Sequence, residues 1–423
     1  GMVMMCQPLY DAVLGVEALN ARPATRKRSV ASVTSAGAER VTLKVSCFGA
    51  CELSTVMFSK VAAARAEFDD RLRDWVIVGI AGAPCGINMQ YCKVCYIEDV
   101  YCIEHSFGMY ITATVACKIN VRVERYVSGT SLGNDFAVGF YQDNSTPSPF
   151  NSGNASLYYD GCGFFSNMAA GNSYSYAAGI QTWQGFTDTY VFAFEGANCG
   201  YGLDFGGRGK DALDWHTEDL IVANCVLDGI RWDGIRFTQC GARTAAVVKN
   251  NYIGVSMATG PVSHGIHVNQ CDGAIIIEGN QVIAVPGNPA TGIRIADSSG
   301  VQHGLNIYTE MQDPIVWDGA VGCSVQGDRV TAAGQSPATA AMQISNSQYG
   351  YVAIAAGAPG DGMSIPVGVA LLGTDNAQIE VNCSRLISTN ITGGATNKLK
   401  HNGTAITAAG AFGTSCLASG VMS

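Results

Sequence analysis

Four ionisable residues recur at similar intervals in this sequence: Asp204, Arg236, His267 and Arg294, separated by 32, 31 and 27 residues. One carboxylate, two guanidinium groups and an imidazole, brought together, could move a proton and hold an anion. Those are the two tasks of general acid–base chemistry on a charged substrate. Each is the third residue of one short phrase: glycine, apolar, variable, apolar. The copies read Gly202-Leu203-Asp204-Phe205, Gly234-Ile235-Arg236-Phe237, Gly265-Ile266-His267-Val268 and Gly292-Ile293-Arg294-Ile295. Alternate residues of a strand face opposite sides, so burying the apolar pair turns the third residue outward.

The phrase continues on both sides. Gly179-Ile180-Gln181-Thr182 precedes the four copies. Pro314-Ile315-Val316-Trp317, Ala341-Met342-Gln343-Ile344 and Gly368-Val369-Ala370-Leu371 follow them. Successive spacings are 23, 32, 31, 27, 22, 27 and 27 residues, a period that predicts one coil of a solenoid per copy. The outward column then reads Gln181, Asp204, Arg236, His267, Arg294, Val316, Gln343, Ala370, and only its middle is ionisable. Neighbouring strands lie ~4.8 Å apart, close enough for these groups to shift one another's pKa. A solvated charged face is the plain alternative.

A second strand follows each phrase and ends in a polar turn, as in Val247-Val248-Lys249-Asn250-Asn251-Tyr252-Ile253 and Ile275-Ile276-Ile277-Glu278-Gly279-Asn280-Gln281-Val282. Counting two back from the closing apolar residue gives Asn224, Asn251, Asn280, Thr309, Asp328 and Ser384. Short polar side chains tolerate a left-handed corner and can hydrogen-bond to the coils on either side.

Two strands and one polar ladder per repeat resemble the pectate-lyase-like superfamily. The resemblance implies an all-β fold, a right-handed single-stranded parallel β-helix over residues 76–390. At ~25 to 27 residues per coil that is about a dozen coils, a rod of roughly 60 Å. Residues 1–75 read as an N-terminal arm with capping helices at 7–20 and 59–74, separated by a basic linker at 21–37. Residues 391–423 read as a C-terminal cap or subunit contact.

Composition sets bounds. The 423 residues are 48% hydrophobic, enough for a large core, and 51 glycines with only 14% charged residues suit many tight turns. A net charge of −9 argues against nucleic acid as a partner. No run reaches the ~18 apolar residues that a membrane span needs. Gly1-Met2-Val3-Met4-Met5 lacks the basic-then-apolar plan of a secretory signal, and Gly1 reads as a tag remnant. Of 16 cysteines, Cys92, Cys95, Cys102, Cys117, Cys225, Cys240, Cys271, Cys323 and Cys383 sit in strand-like runs. They read as stacked core thiols, which implies folding in a reducing cytosol. Cys92-Lys93-Val94-Cys95 has no second pair to complete a zinc ribbon, so neither a metal nor another cofactor is expected.

Excursions rich in Ser, Asn, Gly and Tyr interrupt the pattern at 143–156 and 166–177, and a charged one at 206–219 leaves directly after Asp204. The last carries Asp214, Trp215 and Glu218 and could fold over the column. Asp204 with Asp214 or Glu218 could form the carboxylate pair of a glycoside hydrolase. His267 with Arg236 and Arg294 could serve a polysaccharide lyase, as base and as partners of a uronic acid carboxylate. Gln181, Trp183, Trp215 and Asp233 are further substrate-binding candidates, with tryptophan able to stack on a sugar ring. The residues do not choose between the two chemistries. No nucleophile elbow or nucleotide-binding glycine loop is present.

These features together resemble a bacteriophage tailspike. The resemblance implies a homotrimer at a virion tail, made in the host cytoplasm, that binds and in many cases depolymerises bacterial capsule or lipopolysaccharide. A non-catalytic glycan-binding adhesin, extracellular, and a purely structural virion β-helix are the alternatives. No catalytic motif of that family transfers residue by residue.

Overall fold

A computed structural model gives the architecture. It describes residues 39–43, 54–58, 75–78, 85–90, 93–103, 107–125, 136–144, 154–166, 176–207, 217–256, 263–331, 340–348, 350–357, 365–372, 378–381, 387–392, 398–401 and 404–406. Every element among them is a β-strand, and nearly all pairings are parallel. The fold is a parallel β-helix. No helix among the described residues is long and apolar enough to cross a membrane. The helices expected at 7–20 and 59–74, the linker at 21–37 and the last residues of the tail lie outside the described residues. So do 145–153, 167–175 and 208–216, the bodies of the three excursions.

The chain divides into two compact units, Gly1–Cys199 with Glu218–Ile221, and Gly200–Thr217 with Val222–Ser423. In the first unit, Cys85–Gln90, Phe107–Thr112, Phe136–Asp143 and Tyr176–Trp183 form one parallel sheet. Trp75–Val78, Lys93–Ile103, Val115–Arg125, Ala155–Asp160 and Phe186–Phe192 belong to another.

In the second unit the repeated phrases pair in parallel, one strand per copy. The order is Tyr201–Gly206, Asp233–Thr238, Ser263–Asn269, Ala290–Ala296, Asp313–Asp318, Met342–Ser345, Ile365–Leu372. Ile387–Thr392 closes the sheet without a copy of the phrase. The apolar pairs of the phrases face inward as expected: Leu203, Phe205, Ile235, Phe237, Ile266, Val268, Ile293, Ile295, Ile315 and Trp317 are all buried.

The repeated glycine has a steric cause. A Cβ on Gly265 would sit 2.2 Å from Val282 Cγ1 and 2.7 Å from the Gly292 carbonyl oxygen. One on Gly234 would sit 2.4 Å from Ile253 Cγ2. Glycine and the apolar residue after it therefore both face the interior. The strand kinks there, and residues three apart, one on each side, share the outer face. Gly265→Ala is expected to destabilise the protein by about 1–3 kcal/mol, the range for overpacking a full core. An unchanged urea midpoint would refute that reading of the glycine.

The polar ladder exists, with two corrections. Backbone N–H groups of Cys225, Asn251, Asn280 and Asn306 donate to Oδ1 of Asn251, Asn280, Asn306 and Asp328 in turn, at 2.9–3.0 Å. The ladder position expected at Thr309 belongs to Asn306, and the one expected at Asn224 belongs to Cys225. The reason is register: Ile253 pairs with Leu227, not Val226, and Val282 pairs with Tyr308, not Met311. Asn224 instead takes the left-handed corner, at φ 57°. Ser384 lies outside the described residues.

Cysteines behave as small core residues. Cys102, Cys117, Cys162, Cys199, Cys225, Cys240, Cys271 and Cys323 are free and buried. Some stack across coils, the Cys240 N–H reaching Cys271 Sγ at 3.5 Å. Burial pushes the Cys199 thiol up to about 12 and Cys323 up to about 11, which leaves them protonated and inert near neutral pH. Cys92 and Cys383 lie outside the described residues.

Candidate functional site

The kink at each glycine gives the second unit two outward columns. Strand register fixes one as Asp204, Arg236, His267, Arg294, Val316, Gln343 and Ala370. The other, formed mainly by residues just before the glycine, is Tyr201, Asp233, His264, Thr291 and Asp313. Their polar groups meet where the columns adjoin.

Arg236 is the best-anchored cation. Its Nε and Nη2 donate to Asp204 Oδ1 and Oδ2, both at 2.7 Å. Its guanidinium carbon lies 4.0 Å from the centre of the Tyr201 ring. Bidentate, charge-assisted contact of this kind fixes orientation as well as adding energy. Both oxygens of Asp204 are thereby occupied, and the residue is buried. Arg236 Nε also lies 4.0 Å from Asp233 Oδ2.

Asp233 gathers two imidazoles. Its Oδ1 is 2.6 Å from His264 Nδ1 and its Oδ2 is 3.4 Å from His267 Nδ1. The two rings face each other at 4.4 Å, tilted by 35°. Burial alone would push the Asp233 carboxyl up. Hydrogen bonds from His264 and His267, with their charges, outweigh that and hold it well below the usual carboxylate range. Burial pulls His264 below the ordinary imidazole value; Asp233 opposes this, while His267 and Arg294 reinforce it. An ionised Asp233 can only accept, so a neutral imidazole beside it carries its proton on Nδ1. Each Nε2 is then left with a free lone pair. His264 Nε2 is buried with no partner among the described residues, whereas the His267 side chain is 18% exposed.

Arg294 follows His267 in register, as Arg236 precedes it. Its Nη2 makes one long contact, 3.5 Å to Asp318 Oδ2, and its side chain is 38% exposed. Lower on the face, Gln343 Nε2 donates to Asp313 Oδ1 at 2.6 Å. Burial raises the Asp313 carboxyl, and Gln343 opposes that. Burial also raises the Tyr201 phenol; Arg236 opposes this, and Asp233 and Asp204 add to it. Tyr201 therefore stays a proton-bearing donor.

Asp233, His264 and His267 each place a donor atom within 4.8 Å of the others, the one such trio among the described residues. Two donors on one zinc ion at ~2.1 Å stand about 3 Å or more apart. The 2.6 Å between His264 and Asp233 is a hydrogen bond rather than the edge of a coordination shell. As arranged, the trio handles protons.

Of the candidates read from sequence, Asp204, Asp233, Arg236, His267 and Arg294 stand together on this face. Gln181 and Trp183 belong to the first unit. So does Glu218, whose charge and that of Asp219 act on Asp188; there burial, then Asp219, raises the carboxyl. Asp214 and Trp215 lie outside the described residues. Trp232 packs 5.2 Å from the Tyr201 ring. His264, Tyr201 and Asp313 were not anticipated. Aligning the residues that precede the repeated Gly or Pro (Asp233, His264, Thr291, Asp313) gives most of this second column directly.

No protein-family model matches the sequence, and no curated protein matches it. Among solved structures, the chain is similar to the periplasmic alginate epimerase AlgG, at 11% identity and a TM-score of 0.40 over 82% of this chain and 85% of that one. It is also similar to the A-module of the Azotobacter vinelandii mannuronan C-5 epimerase AlgE6, at 13% identity and a TM-score of 0.33 over 77% of this chain and 91% of that one.

Proposed function

We propose that this protein acts on an acidic polysaccharide of the bacterial surface by taking the proton from C5 of a uronic acid residue. The observation that carries the reading is His267, an accessible imidazole between two arginines whose Nδ1 lies 3.4 Å from Asp233 Oδ2. His267 Nε2 takes the C5 proton. Arg294, only loosely held by Asp318, pairs with the uronate carboxylate and stabilises it as negative charge moves onto its oxygens. The C–H electrons form the C4=C5 double bond, the C4–O4 bond breaks, and O4 leaves with a proton returned from the imidazolium. Arg236 is committed to Asp204 and supplies fixed positive charge beside the base.

Hydrolysis fits less well. It needs one carboxyl that starts protonated. Asp233 is held ionised, and Asp204 has both oxygens filled by Arg236. Asp313 has a raised carboxyl but stands three strands from Asp233 in register, ~14 Å at normal strand spacing. That exceeds the roughly 6.5–9.5 Å of an inverting pair.

The setting we infer is a tailspike-like homotrimer at a virion tail. Support comes from the β-helix with many free, buried thiols, and a monomeric mass in solution would count against it. To test the chemistry, the purified protein is incubated with acidic capsules and lipopolysaccharides, following reducing ends and the ultraviolet absorbance of the unsaturated uronate. Both are expected to rise together. Reducing ends without absorbance would mean hydrolysis and overturn the reading.

A further inference from the structure

The first unit carries a polar and aromatic face of its own. Its outward residues form a grid of three rows fixed by register: Tyr110 with Thr112, Tyr141 with Asp143, and Gln181 with Trp183. The aromatic part is closely packed. Tyr110 and Tyr141 stack at 5.5 Å and 26°, and Phe107 braces both, at 5.9 and 5.1 Å. The Tyr110 hydroxyl donates to Asp143 Oδ2 at 2.5 Å. Burial, aided by the charge of Asp143, pushes the Tyr141 phenol up to about 12, so it keeps its proton as a donor. Trp183 is 50% exposed, a large flat ring next to Asp143 in register.

Two polar atoms on this grid are buried and unsatisfied. Gln181 is 9% exposed and Thr112 is 4% exposed. Gln181 Oε1 and Thr112 Oγ1 have no hydrogen-bond partner among the described residues. An unmet buried polar group costs about 1–3 kcal/mol. Two of them beside one aromatic surface fit a ligand that brings its own hydroxyls.

We propose that this face is a glycan subsite for a neutral pyranose, whose C–H face stacks on Trp183 and whose hydroxyls reach Gln181 Oε1 and Thr112 Oγ1. The polarity of the grid selects the ligand. Gln181 Oε1 and the Asp143 carboxylate accept hydrogen bonds, which hydroxyls can donate. None of the six residues is cationic, and Asp143 repels a second carboxylate. A uronate therefore suits the arginine-lined face of the second unit, and a neutral sugar suits this one. This inference does not depend on proton abstraction, since a chain that only binds glycans would use the same surface.

The test is binding to an immobilised panel of bacterial surface polysaccharides, some of uronic acid alone, some neutral and some mixed. The proteins compared are wild type, Trp183→Ala and Thr112→Val. Thr112→Val keeps the side-chain shape and removes only the hydroxyl, so loss of fold does not confuse the result. Wild type is expected to bind polysaccharides that contain neutral sugars. Thr112→Val should weaken binding by roughly 3- to 10-fold, the equivalent of one hydrogen bond. Trp183→Ala should weaken it at least as much. The proposal is overturned if wild type binds nothing, if it binds only all-uronate polymers, or if Trp183→Ala and Thr112→Val bind unchanged. Failure of the proton-abstraction reading alone would leave a bound but unaltered polysaccharide.

Discussion

Replacing His267 with alanine is expected to lower turnover of an acidic polysaccharide by roughly 10²- to 10⁴-fold, the usual contribution of a general base. The effect should fall on kcat more than on KM, because Arg294 remains to pair with the carboxylate. The argument is positional. His267 occupies one strand, its arginine neighbours the strands on either side, and Asp233 lies within reach of its Nδ1. Substituting Asp233, the acceptor beside both imidazoles, is informative too. Asp233→Asn replaces an acceptor-only group by one that can also donate, so the Nδ1–H tautomer is no longer imposed on His264 and His267. Asp233 is a positioning residue in this account. Its asparagine variant should change the pH profile of kcat, which a merely structural defect would not do. If His267→Ala keeps wild-type kcat, the base is elsewhere.

The second large effect concerns stability. Asp328→Ala is expected to cost about 3–5 kcal/mol, because it leaves several buried donors unmet at about 1–3 kcal/mol each. Asp328 is fully buried and ends the asparagine ladder. Its Oδ2 contacts His303 Nδ1 at 2.6 Å and accepts the Tyr308 hydroxyl at 3.1 Å, while Oδ1 accepts from the Asn306 backbone and side chain. Trp317 Nε1 donates to the far nitrogen of His303 at 3.0 Å. That bond places the imidazole proton on Nδ1, facing Asp328. Removing the carboxylate strands His303, Asn306 and Tyr308 together in the core. Urea unfolding should show a much lower midpoint at an unchanged slope. A loss below about 1 kcal/mol would mean that these buried donors find other partners once the carboxylate is gone.

Much of the fold could be read from the chain because a β-helix writes each coil into the sequence again. The inward apolar pairs, the glycine column and the outward order Asp204, Arg236, His267, Arg294 all follow from alternation and period. The ladder was misread at Asn224 and Thr309. In both cases the closing apolar residue was taken from the wrong side of a corner, and a shift of one to three residues moves the polar position with it. The candidate site was half legible for a similar reason. Strict alternation carries no information about the kink at Gly234 and Gly265. That kink brings Asp233 beside Arg236 and His264 beside His267. The aromatic grid of the first unit was hidden differently. Its strands do carry the phrase, as Gly108-Met109-Tyr110-Ile111 and, with a polar fourth residue, Gly139-Phe140-Tyr141-Gln142, but the excursions stretch the step from Gly139 to Gly179 to 40 residues, and strand pairing shows that Tyr110, Tyr141 and Gln181 are neighbours.

The central claim is that His267 removes a proton from C5 of a uronic acid. Running the reaction in deuterium oxide on an acidic polysaccharide that the protein binds, and reading C5 of recovered and product sugars by NMR and mass spectrometry, tests it most directly. The account predicts loss of the C5 hydrogen, as a double bond to C4 or as deuterium at C5, and its absence in His267→Ala. Chain cleavage with every C5 hydrogen retained would contradict it.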